Sequence, residues 1–103
     1  MAVKTDIANN FEEFVKEGVS VVDFWATWCG PCKMLAPIFH DVAESLPQAK
    51  FGKVDVDENP DLARQFGVRA IPYVCIFKDG QLVDSIVGLC DEEELSSKIK
   101  AHL

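Results

Sequence analysis

No stretch of this chain stays apolar long enough to approach a membrane span. The opening Met1-Ala2-Val3-Lys4-Thr5-Asp6 lacks the apolar core of a signal segment, so the default expectation is a cytosolic protein. Basic residues are few. Ten Lys and Arg face seventeen Asp and Glu, and the net charge of −7 offers no basic stripe to a nucleic-acid backbone. Beyond that, an acidic balance mostly reports solubility. Histidine is scarce too: His40 and His102 stand apart in the sequence and are expected at the surface, not as metal ligands. Linkers rich in Pro, Gly or Ser, low-complexity tracts and internal repeats are all missing. The 103 residues therefore suit one domain, 1–103, with one modest core. The hydrophobic share of 49% is that of an ordinary soluble globular chain.

What the chain does have is Trp28-Cys29-Gly30-Pro31-Cys32. The two cysteines follow a strand-like apolar run, Val19 to Ala26, and a helix-like pattern begins at once. In that setting Cys-x-x-Cys reads as a redox pair. At a helix start, unpaired backbone N–H groups and the macrodipole favour negative charge. A thiol placed there ionises more easily, and the thiolate is the nucleophile. The i, i+3 spacing puts both sulfurs on one face of the first turn. A disulfide across so short a loop has little value as a staple. A four-cysteine zinc site needs a second close pair, whereas Cys75 and Cys90 are fifteen positions apart.

The elements follow from periodicity and punctuation. Ala2 to Thr5 suits a short edge strand. Asn10 and Glu13 have capping-box spacing, Phe11, Phe14 and Val15 form an apolar stripe, and Gly18 closes that helix. Val19 to Ala26 reads as a strand buried on both faces. Leu35, Ile38, Phe39, Val42 and Leu46 recur at helical spacing; Pro37 inside them predicts a kink, and Pro47 a stop. Phe51 to Val56 is a strand, and Asn59-Pro60 opens a helix carrying Leu62, Ala63 and Phe66 before Gly67. Tyr73 to Phe77 and Leu82 to Val87 form a hairpin about Asp79-Gly80. Asp91 caps a last helix with Glu94 three positions on. Strands alternating with helices, then a hairpin and a helix, predict an α/β fold with a mixed sheet covered on both faces. Asp55-x-Asp57-x-Asn59 begins like a calcium loop, but Pro60 and Phe66 stand where glycine and glutamate are required. The segment reads instead as a solvated turn.

Asp23 interrupts the most apolar strand. A carboxylate there is desolvated, which raises its pKa and suits general acid–base work. The competing reading is an edge aspartate facing water. Lys53, with Phe51, Gly52 and Val54 as strand neighbours, reads from the residues as a snorkelling surface lysine. Cys75 reads as a small buried hydrophobe. Cys90 is either a packing residue or a more exposed, regulatory thiol. Lys33 stands at the helix start, either as a charge beside the thiolate or as a solvated lysine.

The run Val22 to Lys33, VDFWATWCGPCK, resembles the active-site signature of the thioredoxin family. Ala70-Ile71-Pro72 resembles that family's cis-proline segment, Phe77-Lys78-Asp79-Gly80 its hairpin, and Val87-Gly88 its late glycine. The resemblance covers nearly the whole chain. It implies the thioredoxin fold, a central mixed β-sheet of four to five strands flanked by four helices. It implies a general protein-disulfide reductant that serves cell redox homeostasis. Cys29 is then the nucleophile, Cys32 the resolving thiol, Asp23 the proton carrier for Cys32, and Lys53 a modulator of Asp23. Gly30 and Pro31 shape the turn, and Trp28, Ile71, Pro72 and Gly88 line the substrate groove. From the residues alone, Pro72 is equally a trans proline opening a strand, Gly88 a simple strand end, and Trp28 ordinary packing. The resemblance further implies no bound cofactor, an upstream flavoprotein thioredoxin reductase drawing on NADPH, and diverse oxidised proteins as partners. A monomer without nucleic-acid or membrane partners is expected. Tyr73 departs from the family, which has threonine after the proline, and is expected to reshape the groove. Three rivals stand beside this reading: an oxidase or isomerase of the same fold, a redox-independent binding or assembly subunit using the same groove, and a metal or iron–sulfur carrier.

Overall fold

The computed structural model describes residues 2–103; Met1, the first position of the expected domain, lies outside the described residues. Five strands form one sheet in the order β1-β3-β2-β4-β5: β1 Val3–Lys4, β2 Val19–Trp25, β3 Lys50–Asp55, β4 Tyr73–Lys78 and β5 Gln81–Val87. The strands β1, β3 and β2 run parallel, and β4 and β5 antiparallel to their neighbours. Four helices accompany them: α1 Phe11–Val15, α2 Gly30–Ser45, α3 Pro60–Gln65 and α4 Glu92–Lys100. This is the mixed sheet with four helices that the pattern predicts.

Residues alternate across the central strand β2, and each set feeds a different core. Val19 and Val21 join Leu35, Phe39 and Val42 of α2 and Leu95 and Ile99 of α4. Val22 and Phe24 join Phe11 and Phe14 of α1, with Leu62 of α3 and Phe66 just past its end packed against them. Every residue of β2 but Trp25 is buried, as its near-continuous apolar run requires. The period-2 geometry of the strand thus fixes which helices lie on which face.

Several local expectations need correction. Asn10 and Glu13 form no capping box: the Asn10 side chain caps nothing, and its N–H is already donated to the Ile7 carbonyl by a 3-10 turn over Ala8–Asn10. Gly18 does not close α1, which ends at Val15. At φ +72° it turns the chain into β2, its N–H donating to Asp79 Oδ1 at 2.8 Å while its carbonyl accepts from the Asp79 N–H. Asn59 stands at the N-cap of α3, yet its side chain turns back to donate to the Asp55 carbonyl at 3.0 Å. Pro37 lies inside α2, where it removes one N–H from the helical ladder. The Asp91 cap forms as expected, with its carboxylate accepting from the Glu94 N–H at 2.8 Å.

Candidate active site

Strand β2 ends at Trp25, and the chain crosses Ala26 to Trp28 before α2 begins at Gly30. Cys29 is the N-cap of α2. Its Sγ accepts the Cys32 N–H at 3.2 Å, the place a Ser or Asp oxygen takes in an ordinary cap. A thiolate at Cys29 therefore meets a backbone donor and the positive end of a sixteen-residue helix. Gly30 and Pro31 fill the first helical positions, where the missing N–H of proline costs nothing. Cys29 and Cys32 are joined as a disulfide, with Cα atoms 5.2 Å apart. Both cysteines are buried in this oxidised state, Cys29 4% and Cys32 2% exposed. Both sulfurs sit in a small apolar cluster with Ala26, flanked by Trp25, Val56 and Ile71.

Asp23 does not face water: its side chain is fully buried and neither oxygen has a hydrogen-bond partner among the described residues. Burial raises its pKa from 3.8 to about 7, against the opposing pull of the Lys53 charge. Lys53 is the register partner of Asp23 on β3 and is half-buried. It makes no salt bridge with the carboxylate among the described residues. Its ammonium instead lies over the Trp25 ring, 4.6 Å from the centroid.

On the far side of the cysteines the Ile71–Pro72 peptide bond is cis, and the Ile71 carbonyl oxygen lies 3.9 Å from Cys29 Sγ. The Pro72 carbonyl accepts the Gly88 N–H at 2.8 Å, which ties the proline loop to the end of β5. Gly88 has φ +88°, and the space where a Cβ would stand is open. Trp28 is not core packing. It is 67% exposed, and its Nε1 donates to Asp57 Oδ2 at 2.7 Å. A cleft of about 190 Å³ runs between Trp28 and Ile71, floored by Val56, Ala63 and Val68 with Arg69 beside them.

Other expected residues fall elsewhere. Tyr73 packs toward the α1/α3 layer, its ring 6.4 Å from that of Phe24, and is not among the residues lining this cleft. Cys75 is buried, and desolvation pushes its thiol up to about 12. Cys90 is also buried, not exposed; desolvation first, then the charges of Glu94, Asp91 and Asp23, push it up to about 11. His102 is not an isolated surface residue, since its Nε2 meets Asp84 Oδ2 at 3.1 Å. Two neighbours of the site carry little signal of it in the sequence. Asp57 was legible only as part of an acidic turn, and Trp25 only as one more apolar strand residue.

A buried, unpaired carboxylate on the strand that leads to a disulfide capping a helix defines a dithiol–disulfide oxidoreductase on a mixed α/β sheet. The thioredoxin family profile matches residues 2–101. Curated thioredoxins of Staphylococcus saprophyticus and Staphylococcus aureus are 46% and 45% identical, with 100% of each chain covered. A mutant thioredoxin from Halobacterium salinarum superimposes with TM-score 0.91 at 37% identity, covering 97% of this chain and 89% of its own. The Malassezia sympodialis thioredoxin does so with TM-score 0.88 at 39% identity, over 97% and 92%. The chain belongs to the thioredoxin family. It is a protein-disulfide reductase whose redox centre is its own Cys29–Cys32 pair, and it works between a reductase and protein substrates. No helix among the described residues is long and apolar enough to cross a membrane.

Proposed function

We propose that Cys29 is the nucleophile of this reductase, Cys32 the resolving thiol and Asp23 the proton carrier for Cys32. The observation that carries the first assignment is the cap. Cys29 Sγ stands at the N-cap of α2 and receives a backbone N–H, so its thiolate is the stabilised one. In the dithiol form Cys29 S⁻ attacks one sulfur of a substrate disulfide. A mixed disulfide forms and the other substrate sulfur leaves as a thiolate. Cys32 then gives its proton to Asp23 and attacks Cys29 Sγ. The Cys29–Cys32 disulfide closes and the second substrate thiolate departs. Two electrons pass from the dithiol to the substrate, and a reductase returns them.

An extended substrate segment lies along Ile71, whose N–H and C=O enter no backbone hydrogen bond among the described residues. Trp28, Pro72 and Gly88 bound this groove. The upstream reductase is a flavoprotein drawing on NADPH, the protein acts as a monomer in the cytoplasm, and its substrates are oxidised proteins at large. Neither nucleic acid nor membrane is a partner, in keeping with the charge of −7.

The test is trapping. Cys32→Ser presented to a cell extract accumulates mixed disulfides through Cys29 to many proteins, and Cys29→Ser accumulates few. Equal trapping by both variants overturns the assignment of roles, and a single captured protein replaces the general reductant with a dedicated one.

A further inference from the structure

Trp25 has a place in the site that apolar packing alone does not explain. It follows Asp23 by two residues on β2, so both side chains emerge on the same face of the sheet. Lys53 is in register with Asp23 on the adjacent parallel strand. Neighbouring strands lie about 4.8 Å apart, well within the reach of a lysine stem. A cation so placed beside a carboxylate with two unpartnered oxygens has an obvious mate, yet it does not take it. Its ammonium rests over the indole instead, 4.6 Å from the ring centroid. Tryptophan offers the strongest such surface of the aromatic residues. The Trp25 indole N–H is buried without a partner among the described residues, so the polar interaction the ring does make is through its face. We propose that Trp25 is a positioning residue, whose indole face holds the Lys53 ammonium off the Asp23 carboxylate and so leaves that carboxylate unpaired and free to take a proton.

The chemistry makes the arrangement consequential. A buried carboxylate bonded to an ammonium stays ionised at neutral pH and releases no proton over the working range. One left alone in an apolar site stays protonated well above it. The cation at one remove sets a middle course: burial raises the Asp23 pKa, and Lys53 pulls part of the way back. Lys53 is the charged group acting on Asp23. The other titratable group coupled to it, Cys90, is a thiol held neutral at ordinary pH, and the Cys29–Cys32 sulfurs do not titrate while joined.

The inference rests on the reading of Asp23 as proton carrier, and one experiment separates the two. The Asp23 carboxyl carbon is followed by NMR as pH is varied in the oxidised protein. Wild type is compared with Trp25→Leu, Trp25→Phe, Lys53→Met and the Trp25→Leu/Lys53→Met pair. Loss of the indole lets Lys53 close on the carboxylate, so the inflection of Trp25→Leu falls by about one pH unit, the low end of what a paired cation imposes. Trp25→Phe, with a weaker ring, falls by less. Lys53→Met rises, and in its background Trp25→Leu produces no fall. An unchanged or raised inflection in Trp25→Leu overturns the inference. So does a fall that persists without Lys53, which marks water entry in place of a moved charge. If Trp25→Leu does not fold, Trp25→Phe with and without Lys53→Met decides by the same signs. An Asp23→Asn protein whose resolving step keeps its pH dependence sinks the proton-carrier reading instead, and leaves these shifts standing.

Discussion

Asp23 couples the chemistry of this protein to its stability. Its pKa is about 7 folded against 3.8 for the free group, so between those values the folded state binds more protons than the unfolded one. Stability from this residue is therefore greatest below pH 4, declines as pH rises toward 7, and is level above it. The whole decline is about 4 kcal/mol, taken from the size of the shift. We expect Asp23→Asn to be more stable than wild type at pH 8 in urea unfolding of the oxidised protein, with the gap closing as pH approaches 4. The same substitution slows closure of the Cys29–Cys32 disulfide by about 100-fold, the low end for a positioned proton acceptor, as read by stopped-flow release of substrate thiol. At this scale the sequence was legible where chemistry and hydropathy conflict: a carboxylate in an apolar strand, two cysteines at a helix start. It was illegible where a residue acts through a neighbour on another strand. Neither the Lys53–Trp25 stack nor the Trp28–Asp57 bond leaves a local signature.

Among the elements, caps and close approaches divide in the same way. The Asp91–Glu94 spacing announced the start of α4, and the bond forms. Removing it by Asp91→Ala costs about 1 kcal/mol, measurable as a lower urea midpoint with an unchanged slope. The Asn10–Glu13 spacing looked much the same and failed, because a 3-10 turn had already used the N–H that a capping box needs. Gly52 shows the reverse, a constraint with no announcement. A Cβ there would stand 2.8 Å from Ile7 Cδ1 and 3.0 Å from Phe14 Cζ, so β3 carries glycine to let the first turn and α1 settle onto the sheet. We expect Gly52→Ala to destabilise by about 1–3 kcal/mol through overpacking, checked by the same unfolding curves. Gly67 and Gly80 were readable as turn residues; Gly52 was not, since only the tertiary neighbour forbids a side chain.

For the molecule as a whole, the covering of the sheet on both faces was legible in periodicity, since alternate residues of β2, β3 and β4 serve opposite cores, whereas the strand order was not. The redox pair stands apart from both, in a third small cluster at the end of β2. The net charge of −7 gives the surface a long-range preference. Reduction of a basic disulfide protein is expected to outpace that of an acidic one at low ionic strength, and the difference to shrink as salt is raised past 150 mM. Initial rates with two such substrates across a salt series check this, and equal rates at low salt would remove charge from the encounter.

Cys75 and Cys90 lie on opposite sides of the sheet, each sealed from water and each held as a neutral thiol. A maleimide added to the native protein is therefore expected to meet a stabilised thiolate only at Cys29, where the cap of α2 supports it, and only when the dithiol is present. Mass added per chain becomes a direct tally of stored electrons, and the two silent thiols, revealed on denaturation, supply an internal standard in every molecule.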